Sequence, residues 1–413
     1  MNKILNYLIN LPVFANVDAT INCKRMAWLF TIIAINGITG FSIPLLGSIY
    51  IPVCMVCLLY ILACGKLKID GLYVVMYIAF FLSALWATEP FFNSNIRYLL
   101  FLCVTLLCTS CISSPTAIAF RSLVYRNILI LLTFLTIGSF VCYFLGINLV
   151  RKDLMHDVTS VGVFGGLYAH SMLLGPMSAL VALMFLNTYV VYRKKILITL
   201  FFIAAAAVVM SASRGATLAM VVPIAYSLFF MKDWGGSRKT LIGLLVATSI
   251  VAIPVADRIA TGLITKQQRN EEAGSTFDSR EDKWDNRIQE FEENPVFGIG
   301  FCAVDLRNSE DYNAAGGVES GSTHLSILSM TGVVGMIPYL CVLLSAYKSV
   351  RRDGSIVANM RMYMFLAMIT HAMFEGYALY AGGFLCFIYW LMIGHCADYK
   401  KIKKKEYVGI NNT

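Results

Sequence analysis

Charge is scarce in this sequence. Asp, Glu, Lys and Arg supply only 14% of its 413 residues, against 58% apolar, and the mean hydropathy is +0.71. That scarcity excludes a soluble globular fold, which must keep polar side chains on its exterior. The solvent for most of this chain is therefore lipid. Acids are scarcer than bases, 24 against 33, and the bases fall between apolar runs instead of forming one patch. The excess is thus read as membrane topology, with no nucleic-acid partner. No repeat of 20 to 50 residues is visible, and nothing is low in complexity apart from a basic tail. No βαβ pattern surrounds Gly298-Ile-Gly-Phe-Cys-Ala303, so its G-x-G-x-x-A spacing is not a nucleotide loop. The polar loop lacks the D-x-D pair that often holds a metal-nucleotide sugar, and no metal site or cofactor is expected. The twelve cysteines do not cluster in polar sequence. Cys54/Cys57 and Cys108/Cys111 have C-x-x-C spacing but are embedded in apolar runs with no nearby His, and they read as small buried hydrophobes. Only Cys302 lies in a long polar loop, where it is expected to meet an impermeant thiol reagent.

What is present is a series of apolar runs near the 20 residues needed to cross a bilayer. They begin near Met26, Leu46, Gly71, Asn95, Asn127, Tyr168, Ile196, Gly215, Leu241, Thr323, Asn359 and Ala381. The predicted fold class is all-α, a polytopic integral membrane protein of about 12 transmembrane helices with one large outer loop containing helical segments. Residues 1–256 hold helices one to nine, 257–322 the loop, 323–398 helices ten to twelve, and 399–413 the basic tail. With the first loop outside, the inner segments carry 22 cations and the short outer loops four, namely Arg97, Arg151, Lys152 and Arg214. The long loop does not count in this rule. Both termini are therefore predicted to be cytoplasmic. Residues 1–14 resemble a weak signal peptide interrupted by Asn6 and Asn10, and an interfacial segment is expected there.

In the loop, Asp278 is a candidate N-cap with Glu281 three residues on, and Asn294-Pro295 closes the segment. These signals predict a helix over 279–293. On a helical wheel Trp284, Ile288 and Phe291 form an apolar docking stripe, with Arg280 and Arg287 together on one edge. Either the two arginines are aimed at a ligand, or the helix is a solvated one with scattered ion pairs. Arg214 lies in Ser211-Ala-Ser-Arg-Gly215 at the outer boundary, as a snorkelling anchor or as a charge kept for an anionic partner. His324 follows Glu319-Ser-Gly-Ser-Thr and opens a membrane helix, as an interfacial residue or a catalytic one. His371 and Glu375, four apart, are predicted to share a helix face near the outer side. They read as a functional pair or as a buried structural hydrogen bond. The helices starting at Gly215 and Thr323 both point their N-termini outward, where dipole and free N–H groups favour phosphate. Arginine adds a bidentate fork suited to a diphosphate.

At these residues the sequence resembles the O-antigen ligase and O-antigen polymerase superfamily of bacterial polysaccharide assembly. The matching pieces are Ser211-Ala-Ser-Arg-Gly215, Ser279-Arg280 with Trp284, Asn294-Pro-Val-Phe-Gly-Ile-Gly-Phe301, Ser322-Thr-His-Leu-Ser-Ile-Leu328 with Gly332 and Gly335, and His371-Ala-Met-Phe-Glu375. The resemblance implies a metal-independent glycosyltransferase of the bacterial inner membrane with a periplasmic active site. Its donor would be a glycan on undecaprenyl diphosphate and its acceptor a glycan or lipid A-core, with the lipid bilayer and a chain-length regulator as further partners. By the same resemblance Arg214 and Arg280 would hold the diphosphate and His324 would be the base, with Glu319 or Glu375 as replacements. Arg287 would steer the donor, standing eleven residues before Gly298 as in a polymerase motif. The segment before His324 looks more like that of a polymerase than of a ligase. A lipid-linked glycan flippase or secondary transporter is the alternative from another class. Against it, the short Tyr192–Lys195 connection is unlike the long link between two six-helix halves.

Overall fold

The computed structural model describes residues 8, 11, 14, 18–87, 93–151, 164–230, 281–303, 321–351 and 353–401. In chain order its elements are α1 (Ile21–Asn36), α2 (Pro44–Ser48), α3 (Tyr50–Ala63), β1 (Lys68–Ile69), α4 (Gly71–Leu85), α5 (Ser94–Cys108), β2 (Ile112–Ser113) and α6 (Pro115–Phe144). There follow α7 (Ser171–Tyr192), α8 (Lys195–Met210), α9 (Arg214–Phe230), α10 (Glu281–Glu293), α11 (Thr323–Val350), α12 (Ile356–Ala372) and α13 (Phe384–Ala397). Polar residues just ahead of the apolar runs set where helices begin: Thr20, Asp70, Asn93, Ser114, Ser322 and Ser355 each accept a backbone N–H from the first turn. Among the described residues the named elements are helices apart from one antiparallel pair of two-residue strands, β1 with β2. That pair is a small departure from an all-α reading.

Eleven of the predicted apolar runs hold a helix, and the run from Leu241 falls outside the described residues. Among the described residues three helices are long and apolar enough to cross a membrane, α6, α7 and α11, while α3, α4, α5, α8 and α9 are apolar but shorter. The most apolar stretch of α7 is 83% buried inside the protein, against 56% for those of α6 and α11. A helix apolar on every side belongs in the middle of such a bundle, and α7 packs on α6, α8, α9 and α12. Arg121 of α6 grips Asp398, just past α13, through Nε and Nη2 at 2.7 and 3.1 Å, with both side chains buried. Of the N-terminal segment, Leu8 and Leu11 are buried and Phe14 meets Tyr125 edge-on.

The largest difference from expectation is in α11. Gly332 leaves helical geometry at φ 60° and ψ −166°, so the predicted single span from Thr323 is two helices end to end. The carbonyls and N–H groups freed by the break are taken up by the segment after α10. Ile299 N donates to Ser329 O at 2.9 Å and Gly300 N to Met330 O at 3.1 Å, while Val333 N and Val334 N donate to Pro295 O and Val296 O at 2.9 and 3.2 Å. Ser83 Oγ also donates to Met330 O at 2.6 Å. Within lipid such groups must find partners in the protein. The fit requires bare backbone: a Cβ on Gly332 would lie 2.2 Å from Val296 O, and one on Gly298 2.3 Å from Met330 C. The glycines of the G-x-G pattern thus serve backbone docking.

Candidate active site

The turn before α9 is tight. Ala212 takes a left-handed φ of 51°, Ser211 Oγ accepts from Ser213 N, and Ser213 Oγ accepts from Ala216 N, both at 3.3 Å. The turn sets Arg214 at the first position of α9 with its side chain exposed. Beside it, Gly215 packs on Phe374 so closely that a Cβ would lie 3.2 Å from the Phe374 Cβ. Phe374 also meets the Trp284 ring of α10, with centroids 6.3 Å apart, and Trp284 Nε1 donates to Gly321 O at 3.2 Å. The next residue, Glu375, accepts at its backbone carbonyl from Thr323 N and Oγ1 at 3.1 and 2.8 Å. Thr323 Oγ1 also accepts from Tyr377 N at 3.1 Å. Four separate pieces of sequence therefore meet around Phe374, within one residue of His324.

His324 is partly buried in the first turn of α11. Its Nδ1 lies 2.9 Å from the Tyr339 hydroxyl and its Nε2 3.3 Å from Ile369 O. A carbonyl only accepts, so Nε2 carries the proton here and Nδ1 accepts from Tyr339. The Tyr339 hydroxyl in turn hydrogen-bonds that of Tyr389 on α13, deep in the protein. His324 and Tyr339 are fifteen residues apart, about 22 Å along a straight helix, yet their ring centroids are 5.9 Å apart. The break at Gly332 is what brings them together.

The other candidate residues are distributed as follows. Arg280 and Glu319 fall outside the described residues. Arg287 is 3% exposed and pairs with the equally buried Glu290 at 2.9 Å. The face that α10 buries is thus this polar pair, whereas Ile288 of the expected docking stripe is 43% exposed. Pairing within the helix compensates the two charges and lets this polar face go inward. His371 is buried at the end of α12, with Nδ1 3.2 Å from the Tyr377 hydroxyl. The expected shared helix face with Glu375 is not formed, because α12 ends at Ala372 and Glu375 follows in a turn. Cys302 is not accessible as expected. It is 2% exposed, its thiol donates to Leu379 O at 3.6 Å, and burial pushes its pKa up to about 12. Among the described residues no cluster of His, Cys, Asp or Glu is arranged to hold a metal. Arg97, one of the four outer cations, lies with its guanidinium 5.9 Å over the Tyr380 ring, five residues beyond Glu375.

Sequence reasoning missed Phe374, Tyr339 and Tyr389. Phe374 carried a signal, lying within a matched motif. Tyr339 and Tyr389 carried none, since no spacing rule joins them to His324 across a helix break and a second helix.

A comparison with curated proteins gave no match. Residues 199–340 match the family model described as O-antigen ligase, a stretch running from α8 through Arg214 and His324 to Tyr339. His371 and Glu375 lie beyond it. The match covers about a third of the chain, includes Gly215, Trp284 and Thr323 of the group gathered around Phe374, and agrees with the resemblance read from the sequence.

Proposed function

We propose that this membrane enzyme transfers glycan units from a polyprenyl diphosphate donor at the periplasmic face, as a polymerase that extends a surface polysaccharide. The observation that carries the reading is the meeting of the Arg214 turn, Trp284 of α10 and the His324 end of α11 around Phe374. In the step itself, an acceptor hydroxyl attacks the anomeric carbon and gives its proton to His324. The bond from that carbon to the diphosphate oxygen breaks, and the electron pair leaves on the diphosphate. Arg214 and Arg280 stabilise that charge through paired donors, an effect worth several kcal/mol when preorganised. Neutral histidine suits the base because its ordinary pKa lies near ambient pH, with Glu319 and Glu375 as the other candidates. Arg287 and His371 contribute by fixing α10 and the Glu375 turn against the site. The preference for polymerase rests on the sequence ahead of His324.

The test is deletion of the gene followed by electrophoresis of surface polysaccharide. A single repeat unit left on its acceptor is the expected result. Long chains stranded on the lipid carrier would instead identify a ligase acting on lipid A-core, and unchanged polysaccharide would end the glycosyltransferase reading.

A further inference from the structure

We propose that Tyr339 and Tyr389 are positioning residues for His324, a neutral hydroxyl pair that does for this histidine what a carboxylate does for a catalytic base in water. The inference rests on the transfer reaction above and on His324 as its base. Three observations lead to it. The Tyr339 hydroxyl is the side-chain partner of His324 Nδ1, at 2.9 Å. Tyr339 is itself fully buried and bonded onward to buried Tyr389, so its oxygen is held from behind. Among the described residues the other ring nitrogen, Nε2, meets a backbone carbonyl, Ile369 O, at 3.3 Å, no side chain holds it as Tyr339 holds Nδ1, and His324 as a whole is only partly buried, so Nε2 is the nitrogen left to meet an acceptor.

A hydroxyl both donates and accepts, and this is why tyrosine fits the position. With the site empty, Tyr389 donates to Tyr339, Tyr339 donates to Nδ1, and Nε2–H faces Ile369. With an acceptor bound, the ring takes its other tautomer, Nε2 giving its proton to water and Nδ1 gaining one from water in exchange. The Tyr339 and Tyr389 hydroxyls rotate so that Nδ1–H donates to Tyr339 and Tyr339 donates to Tyr389, and Nε2 offers its lone pair to the incoming hydroxyl. The same geometry then serves the imidazolium formed when Nε2 takes the acceptor's proton. A carboxylate at this depth in an apolar bundle would have to be desolvated and ionised, which is costly. The phenol pair orients the ring without carrying that charge.

The test uses purified full-length protein in vesicles with a polyprenyl diphosphate-linked repeat unit as donor. Phenylalanine keeps the ring contacts of Tyr339 and Tyr389 with Trp390, at 6.2 and 5.5 Å, and removes only the hydroxyls. General bases contribute about 10²–10⁴-fold, so loss of orientation in Tyr339→Phe is expected to lower kcat on the order of tenfold or more, with KM for the donor unchanged. Tyr389→Phe should lower kcat by a smaller factor. The double variant should be no slower than Tyr339→Phe alone, because both act through one chain. Full kcat in Tyr339→Phe, or losses that multiply in the double variant, would overturn the inference. Should Tyr339→Phe fail to accumulate, Tyr389→Phe decides by the same criterion, reduced kcat at constant KM against no change. His324→Ala separates the two levels: if it is inactive while Tyr339→Phe is fully active, only the positioning role falls. If His324→Ala is as fast as the natural protein, the base assignment falls with it.

Discussion

At the residue scale the decisive question is which side chains meet the diphosphate and which merely sit near it. If Arg214 and Arg280 grip it through forked, charge-assisted hydrogen bonds, lysine keeps the charge and loses the fork. Arg214→Lys and Arg280→Lys are each expected to impair chain assembly strongly at near-normal membrane levels, with alanine no better. Complementation of a deletion strain, read by polysaccharide laddering and immunoblotting, checks this, and full complementation by both lysine variants would reduce the arginines to anchors. Arg25, exposed on α1, serves as the inert comparison, and its lysine variant should complement fully. Cys302 gives a pH-dependent check on the fold. A free thiol ionises near its ordinary value of 9.0, whereas burial holds Cys302 protonated to about 12. Between those values the folded chain keeps a proton that the unfolded chain gives up, so this thiol's contribution to stability falls as pH rises from 9 toward 12. Alkylation of Cys302 at pH 8 should accordingly be negligible in the folded protein and prompt after denaturation in detergent, and labelling of the native protein would refute its burial.

At the scale of elements, two devices hold the site, and each can be broken separately. Gly332 occupies a backbone region nearly closed to other residues, where strain costs about 1–3 kcal/mol, and it also lacks room for a Cβ. Gly332→Ala is therefore expected to lower the melting temperature of purified protein and to abolish transfer, since His324 and Tyr339 lie on opposite sides of the break. Unchanged melting and activity would mean the break is not needed. The pair Arg287 and Glu290 sits buried on α10, and removing one partner of such a pair costs about 3–5 kcal/mol, whereas replacing both by apolar residues can be neutral. Arg287→Met should thus destabilise, and Arg287→Met with Glu290→Leu should recover stability. If transfer recovers too, Arg287 serves the fold. If stability recovers without transfer, Arg287 has a direct part in handling the donor.

At the scale of the whole molecule the open quantity is sidedness. In a background lacking exposed Cys64 and Cys341, Glu292→Cys on the exposed side of α10 is expected to react with an impermeant thiol reagent in intact spheroplasts. In a second background that keeps natural Cys64 and lacks Cys341, Cys64, placed by the cation bias on the inner side, should react only after lysis, and the reverse pattern would invert the topology. The sequence by itself determined the membrane class, the positions of the described helices and the motif pieces. Those properties are local: apolar run length, capping residues and composition act within a few turns. It also placed Arg214, Trp284 and His324 in motifs without saying what joins them. Only the tertiary structure decided that α11 breaks at Gly332, that Phe374 gathers the pieces, that α10 buries its salt bridge with Ile288 facing outward, and that Glu375 leaves the helix of His371. Each of these depends on backbone groups or side chains supplied from elsewhere in the chain, Pro295 to Gly300 for the broken helix and Thr323 for the Glu375 turn. A helix in lipid can interrupt its own hydrogen bonds only where another segment arrives to replace them, and that arrival is a property of the packed molecule.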